Sequence, residues 1–165
     1  MEPLSLLAHP PRSPRIKVAG IVFTARIIDK LRASLPGGEL NGYLALSGFS
    51  ELWAHYTGID LVDMQRCVVR ASSEREVEAW LLERTSHLDL ERINGKMERF
   101  NSGRTPESLR AEFERIYPAE LRERHPLLFD LLEADDARLY LLHGENAEFD
   151  AVGTPSTGSD EDGPR

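Results

Sequence analysis

The sequence predicts an all-α, single-domain fold. It reads as a bundle of about six to seven short helices, with an extended N-terminal arm over residues 1–15, a helical domain over 16–143 and a disordered acidic tail over 144–165. Three observations carry this. Apolar residues recur at the helical spacing of about 3.6 residues in segment after segment. Helix-starting and helix-stopping residues fall between those segments. Only Ile16–Phe23 is rich in β-branched residues, and its alternation is too imperfect to read as a strand.

The arm holds four prolines, Pro3, Pro10, Pro11 and Pro14. Each fixes its own φ and biases its predecessor toward extended backbone. A helix follows over Ile21–Leu35, with Ile27, Ile28, Leu31 and Leu35 on one face, and Pro36-Gly37-Gly38 ends it. The next starts near Ser47 or Ser50, carries Phe49, Leu52, Trp53 and Tyr56, and stops at Gly58. Asp60 caps a helix bearing Leu61, Met64, Cys67, Val68 and Ala71 on its apolar side. Ser73 and Glu76 have capping-box spacing, ahead of a helix that buries Val77, Trp80 and Leu81. Asp89 caps a segment through Ile93, Met97 and Phe100, closed by Gly103. Thr105-Pro106 offers a capping hydroxyl and a first-turn proline to a helix burying Leu109, Phe113 and Ile116. Pro118 and Pro126 interrupt it. A last element, Leu127–Leu142, is bent or broken near Glu133–Asp136. From Gly144 the chain is polar, acidic and poor in anything to bury, hence the tail.

Composition excludes several functions. Cys67 is the single cysteine, so no intrachain disulfide or cysteine zinc site forms, which suits a reducing, cytoplasmic setting. No apolar run reaches about 18 residues, and Met1–Leu7 has neither a basic stretch nor a cleavage site, so neither a membrane span nor a signal peptide is expected. The net charge is −8 and unevenly spread. The first 35 residues hold six basic and two acidic side chains, the remainder fourteen and twenty-six. An acidic majority argues against nucleic acid as a partner. It also gives the basic arm acidic partners within the same molecule.

The stretch PRSPRIKVAGIVFTARIIDKLRA, through Pro11, Arg12, Ser13, Pro14, Arg15, Gly20, Arg26, Ile28, Asp29, Lys30, Arg32 and Ala33, resembles the opening of a family of small bacterial proteins grouped as a domain of unknown function. YTGIDLVDMQRCVVRASSEREVEAWLLE and LLFDLLEADDARL are similar to that family's middle and closing segments, so the likeness runs from His9 to Leu139. The chain departs from the pattern in the loop Gly37–Leu46, which lacks a Tyr-rich stretch, and in its acidic tail. The resemblance implies no activity, cofactor or substrate.

On the helix Ile21–Leu35, Arg26 and Lys30 share one flank, Arg32 lies on the other, and Asp29 points away from the core between Arg26 and Arg32. Three readings are open. The charges form an exposed ion-pair ladder; or Arg12 and Arg15 fold back beside Arg26, Lys30 and Arg32 as an anion site with Asp29 as its ion-pair orienter; or the arginines pair with acidic helices such as Asp130–Asp136 and clamp the arm down. The group Asp130, Glu133, Asp135 and Asp136 lacks EF-hand spacing, so no metal is expected. His9, His55, His87, His125 and His143 are scattered without ligand spacing, and no nucleophile elbow, P-loop or dinucleotide fingerprint is present, so no catalytic residue and no cofactor is assigned. Cys67 reads as a small buried hydrophobe.

Two functions follow. The missing catalytic constellation favours a non-enzymatic module that binds a protein partner. The alternative is a protein or enzyme that binds an anionic small molecule, carrying phosphate or carboxylate, through the Arg/Lys cluster.

Overall fold

Helix α1 (Thr24–Ala33) is the axis of the molecule, buried along nearly its whole surface. The computed structural model describes residues 1–46 and 48–150. Seven further α-helices follow among them: α2 (Phe49–Thr57), α3 (Leu61–Arg70), α4 (Glu74–Thr85), α5 (Leu90–Glu98), α6 (Glu107–Ile116), α7 (Ala119–Arg124) and α8 (Leu128–Asp150), with a short 3-10 turn at Ser102–Arg104. α1 packs on α3; α3 packs on α2 and α4; α2 meets α5; and α8 receives α5 and α7. Pairing between extended residues is confined, among the described residues, to isolated bridges such as Ser5 with Glu39. The fold is all-α.

α1 starts three residues later than its apolar pattern suggests. Before it, Ala19, Gly20 and Phe23 take φ of 52°, 74° and 69°. Left-handed backbone at a bulky residue such as Phe23 costs about 1–2 kcal/mol and persists only where the surroundings impose it. The Asn94 side chain of α5 does so: its Nδ2 donates to the Gly20 carbonyl (2.8 Å) and its Oδ1 accepts from the Val22 N–H (3.1 Å). The turn's own apolar residues, Val18, Ala19, Ile21, Val22 and Phe23, are all buried in the core. Beneath α1 lies Trp53, wholly buried, its indole N–H satisfied by Thr24 Oγ1 at 2.9 Å.

Most boundaries fall where the signals put them. Asp60 accepts from the Val62 and Asp63 N–H groups (2.8 and 3.1 Å), Asp89 accepts from that of Arg92 (3.0 Å), and Gly58 closes α2 at φ 72°. Others differ. The Ser73–Glu76 capping box does not close, because the Glu76 carboxylate reaches back to the Ser72 N–H and hydroxyl instead. Thr105 does not cap α6; its hydroxyl donates to the Ser102 carbonyl (2.6 Å), which leaves Pro106 as the N-cap. Pro118 and Pro126 bracket a separate helix, α7. α8 runs unbroken through Glu133–Asp136, a stretch with neither Gly nor Pro. It continues as helix through 144–150, where the tail was expected to begin; the remainder of that tail, like Ser47, lies outside the described residues. Trp80 and Cys67 are half-buried rather than interior.

Candidate functional site

The arm lies along α1. Pro11 and Pro14 are buried, the Phe23 N–H donates to the Pro14 carbonyl (2.7 Å), and further up the arm Leu4 and Leu6 exchange backbone bonds with Arg32 and Glu39. Asp29, expected to face solvent, is buried at 4% exposure because the arm covers that face. Its Oδ2 accepts from both the backbone N–H and the Nε of Arg12 (2.9 Å each), and its Oδ1 accepts from Arg12 Nη2 (2.9 Å). The same guanidinium grips Glu74 of α4 through Nη1 (2.9 Å) and Nη2 (2.5 Å). Glu74 raises the pKa of Arg12 most, against the effect of burial, with Asp29 adding to it. In return, Arg12 holds Glu74 below the usual carboxylate range.

The other four cations of the expected cluster go separate ways. Arg15 reaches outward to α8, pairing with Asp130 and, through Nε at 3.3 Å, with Glu133. Arg26 is buried in a bidentate pair with Asp136 of α8 (2.7 and 2.9 Å) and also donates to the carbonyls of Pro11 and Arg12 (3.3 and 3.4 Å). Arg32 donates to the Glu2 carbonyl (3.0 Å) at the far end of the arm. Lys30, buried at 6% exposure, pairs with no carboxylate among the described residues; its ammonium donates to Ser50 Oγ (2.8 Å) and sits 5.7 Å from the centre of the Phe23 ring.

Only Arg26 and Lys30, of the five, line a cavity of ~280 Å³. α1 and its N-cap supply Arg26, Lys30 and Phe23. The loop Asn41–Leu44 supplies one rim, and Gly48 and Phe49 the entry to α2. α6 and its end supply Phe113, Ile116 and Tyr117, and α8 supplies Leu132, Asp135 and Leu139. Two groups of aromatic rings stand at the cavity. Phe49 meets Phe113 edge-on at 5.6 Å, Phe113 meets Tyr117 at 5.0 Å, and Phe23 stacks on Phe129 at 6.0 Å. Volume and lining fit a small, largely apolar ligand. A cavity of about 150 Å³ already holds a benzene ring, so this one has room for a ring with a short substituent.

Polar groups around the cavity are matched, with two exceptions. Tyr43 donates to Asp136 Oδ1 (2.7 Å), and burial, then that carboxylate, push its pKa up. Asp135 is held by Arg138 (2.8 Å), and Glu112 faces Arg115 at 3.9 Å. The first exception is the hydroxyl of Tyr117, which makes no hydrogen bond among the described residues; burial, then Asp135, push its pKa up. The second is Lys30. Burial foremost, then the neighbouring Arg26, bring it down to about 7, with Asp136 pulling weakly the other way. The acidic residues are paired within the chain: Arg15 meets Asp130 and Glu133, Arg138 meets Asp135 and Arg26 meets Asp136, and among the described residues no three His, Cys, Asp or Glu side chains gather as a metal ion requires.

Sequence reasoning named Lys30 and Arg26 but not Tyr43 or Tyr117, which converge on them from a loop and from the end of α6. One signal was available. The chain has seventeen arginines and three lysines, and one of those three occupies the helix that the arm covers. No curated protein matches the chain at a significant level. A family model does match, over residues 8–138, from the arm into α8; the chain belongs to that family, a domain of unknown function (DUF5069).

Proposed function

We propose that the protein binds a small, largely apolar carboxylic acid in this cavity, with the carboxylate against the Lys30 ammonium and the body among Phe23, Phe49, Phe113 and Leu132. One observation carries the reading: a buried cation, paired with no carboxylate among the described residues, stands at the wall of an aromatic-lined cavity. An unpaired buried charge is costly, and a ligand carboxylate removes that cost while its body displaces water from apolar walls. Arg12 and Arg15 serve the site indirectly, by fastening the arm over α1. The competing reading, a protein-interaction module, draws on separate exposed side chains such as Val62, Val69 and Leu82.

Thermal shift and calorimetry with benzoate, hexanoate and inorganic phosphate test the proposal. Free ligand at tenfold its Kd stabilises by about 1.4 kcal/mol. Benzoate or hexanoate shifts the wild type, phosphate does not, and Lys30→Met loses the shift. Absence of any shift, with a protein that co-purifies at fixed stoichiometry, overturns the small-molecule reading in favour of the module.

A further inference from the structure

We propose that Lys30 is also a nucleophile, condensing with the carbonyl of an apolar aldehyde or ketone in the cavity to form an imine. This rests on the cavity being the binding site. The choice of residue is the first support. The chain uses arginine for seventeen of its twenty basic positions and for the buried pair with Asp136, yet places lysine one turn along the same helix. Lys17 and Lys96 are exposed. Arginine would give a buried carboxylate a better fork. What lysine offers there is an amine able to lose its proton.

The surroundings favour that loss. The amine has one hydrogen bond, to a neutral hydroxyl, with a like charge one turn away and apolar walls beyond, and its pKa of about 7 leaves a large neutral fraction at neutral pH. The neutral Nζ donates its lone pair to the carbonyl carbon, and the carbonyl π pair moves to oxygen, which takes a proton. Nitrogen then sheds a proton, giving the carbinolamine. Protonation of the hydroxyl lets it leave as water while the nitrogen lone pair closes the C=N bond. The sum is amine, carbonyl and one proton giving iminium and water, with no redox change. Solvent supplies the net proton, and the Tyr117 hydroxyl, which burial keeps protonated, donates a hydrogen bond to the developing oxyanion.

The test treats the full-length protein with benzaldehyde and cyanoborohydride at neutral pH and maps the reduced adducts by peptide mass spectrometry. Lys30 labels at least ~10-fold faster than Lys17 or Lys96, because an ordinary lysine near pKa 10.4 is almost wholly protonated there. Benzoate, which differs from the probe only in its head group, protects Lys30, and Tyr117→Phe slows labelling. Labelling of Lys30 no faster than of the exposed lysines, with benzoate still binding, overturns the imine alone. Failure of both labelling and benzoate binding overturns the cavity reading with it. The wild-type map needs no variant, so the result stands even where a substitution unfolds the protein.

Discussion

Arg26 and Lys30 stand one turn apart on α1, both buried, and a carboxylate meets only the first: Asp136 takes both ends of the Arg26 guanidinium, while Lys30 ends on the Ser50 hydroxyl. The difference divides their work. A bidentate, desolvated pair fixes α8 against α1 and matches the Arg26 charge with a carboxylate of the same molecule. A buried ammonium with one neutral partner has two donors to spare and an easily lost proton.

The first prediction concerns stability and pH. Lys30 titrates at about 7 in the folded protein and near the ordinary lysine value of about 10.4 when unfolded. Between those values the unfolded chain holds the extra proton, so stability rises with pH; below the folded pKa both states hold it and the dependence levels off. Wild type therefore gains roughly 2 kcal/mol on Lys30→Met between about pH 7 and 9. Urea denaturation of both proteins across that range checks it. Groups common to both, Cys67 among them, cancel in the difference. A constant gap between the two curves contradicts the buried, lowered lysine.

A second prediction separates breaking the buried pair from replacing it. Asp136→Ala strands the Arg26 guanidinium among apolar neighbours and removes the acceptor of Tyr43, a loss of about 3–5 kcal/mol. Arg26→Met with Asp136→Leu recovers most of that, since no charge is then left buried. Unfolding free energies of Arg26→Met, Asp136→Leu and the double variant give the coupling directly.

The two arm arginines should differ sharply. Arg12 satisfies Asp29, whose side chain is only 6% exposed, whereas Arg15 and both its partners are more than a third exposed. Arg12→Ala costs about 2 kcal/mol and speeds amide exchange over residues 4–14. Arg15→Ala costs under about 1 kcal/mol and leaves exchange of the arm nearly unchanged. Equal effects would mean that the arm is held by its backbone bonds and buried prolines alone.

Those comparisons mark how far the sequence could be read. Helices announced by local signals, Asp60 before α3 or Gly58 after α2, were legible because caps and stops act within a few residues. The three-residue error at the start of α1 arises from Asn94, a partner more than seventy positions away, which no local pattern reveals. The charge imbalance correctly suggested acidic partners for the arm within the chain. The surface ladder failed at Asp29 because amphipathicity assumes that a helix has a wet side, and here the arm removes it. The cavity was the least legible feature, since Phe23, Tyr43, Phe113 and Tyr117 come from four separate segments. The scarcity of lysine was the trace it left.

The last prediction ties ligand binding to the same proton. Benzoate stays ionised throughout the working range, so its affinity follows the charge on Lys30. Below about pH 7 the ammonium is present and Kd is flat; above it, binding must also take up a proton, and Kd rises toward tenfold per pH unit. The other groups facing the cavity do not imitate this slope. Arg26 is raised and held by Asp136, Asp135 is held by Arg138 and Glu112 faces Arg115, while Tyr43 and Tyr117 are pushed above their ordinary range, and no histidine lines the walls among the described residues. Calorimetry in buffers of different ionisation enthalpy reads the proton directly: uptake approaching one per benzoate above about pH 8 and falling toward zero near pH 6. Binding that ignores pH, or a proton uptake that survives Lys30→Met, places the carboxylate away from Lys30.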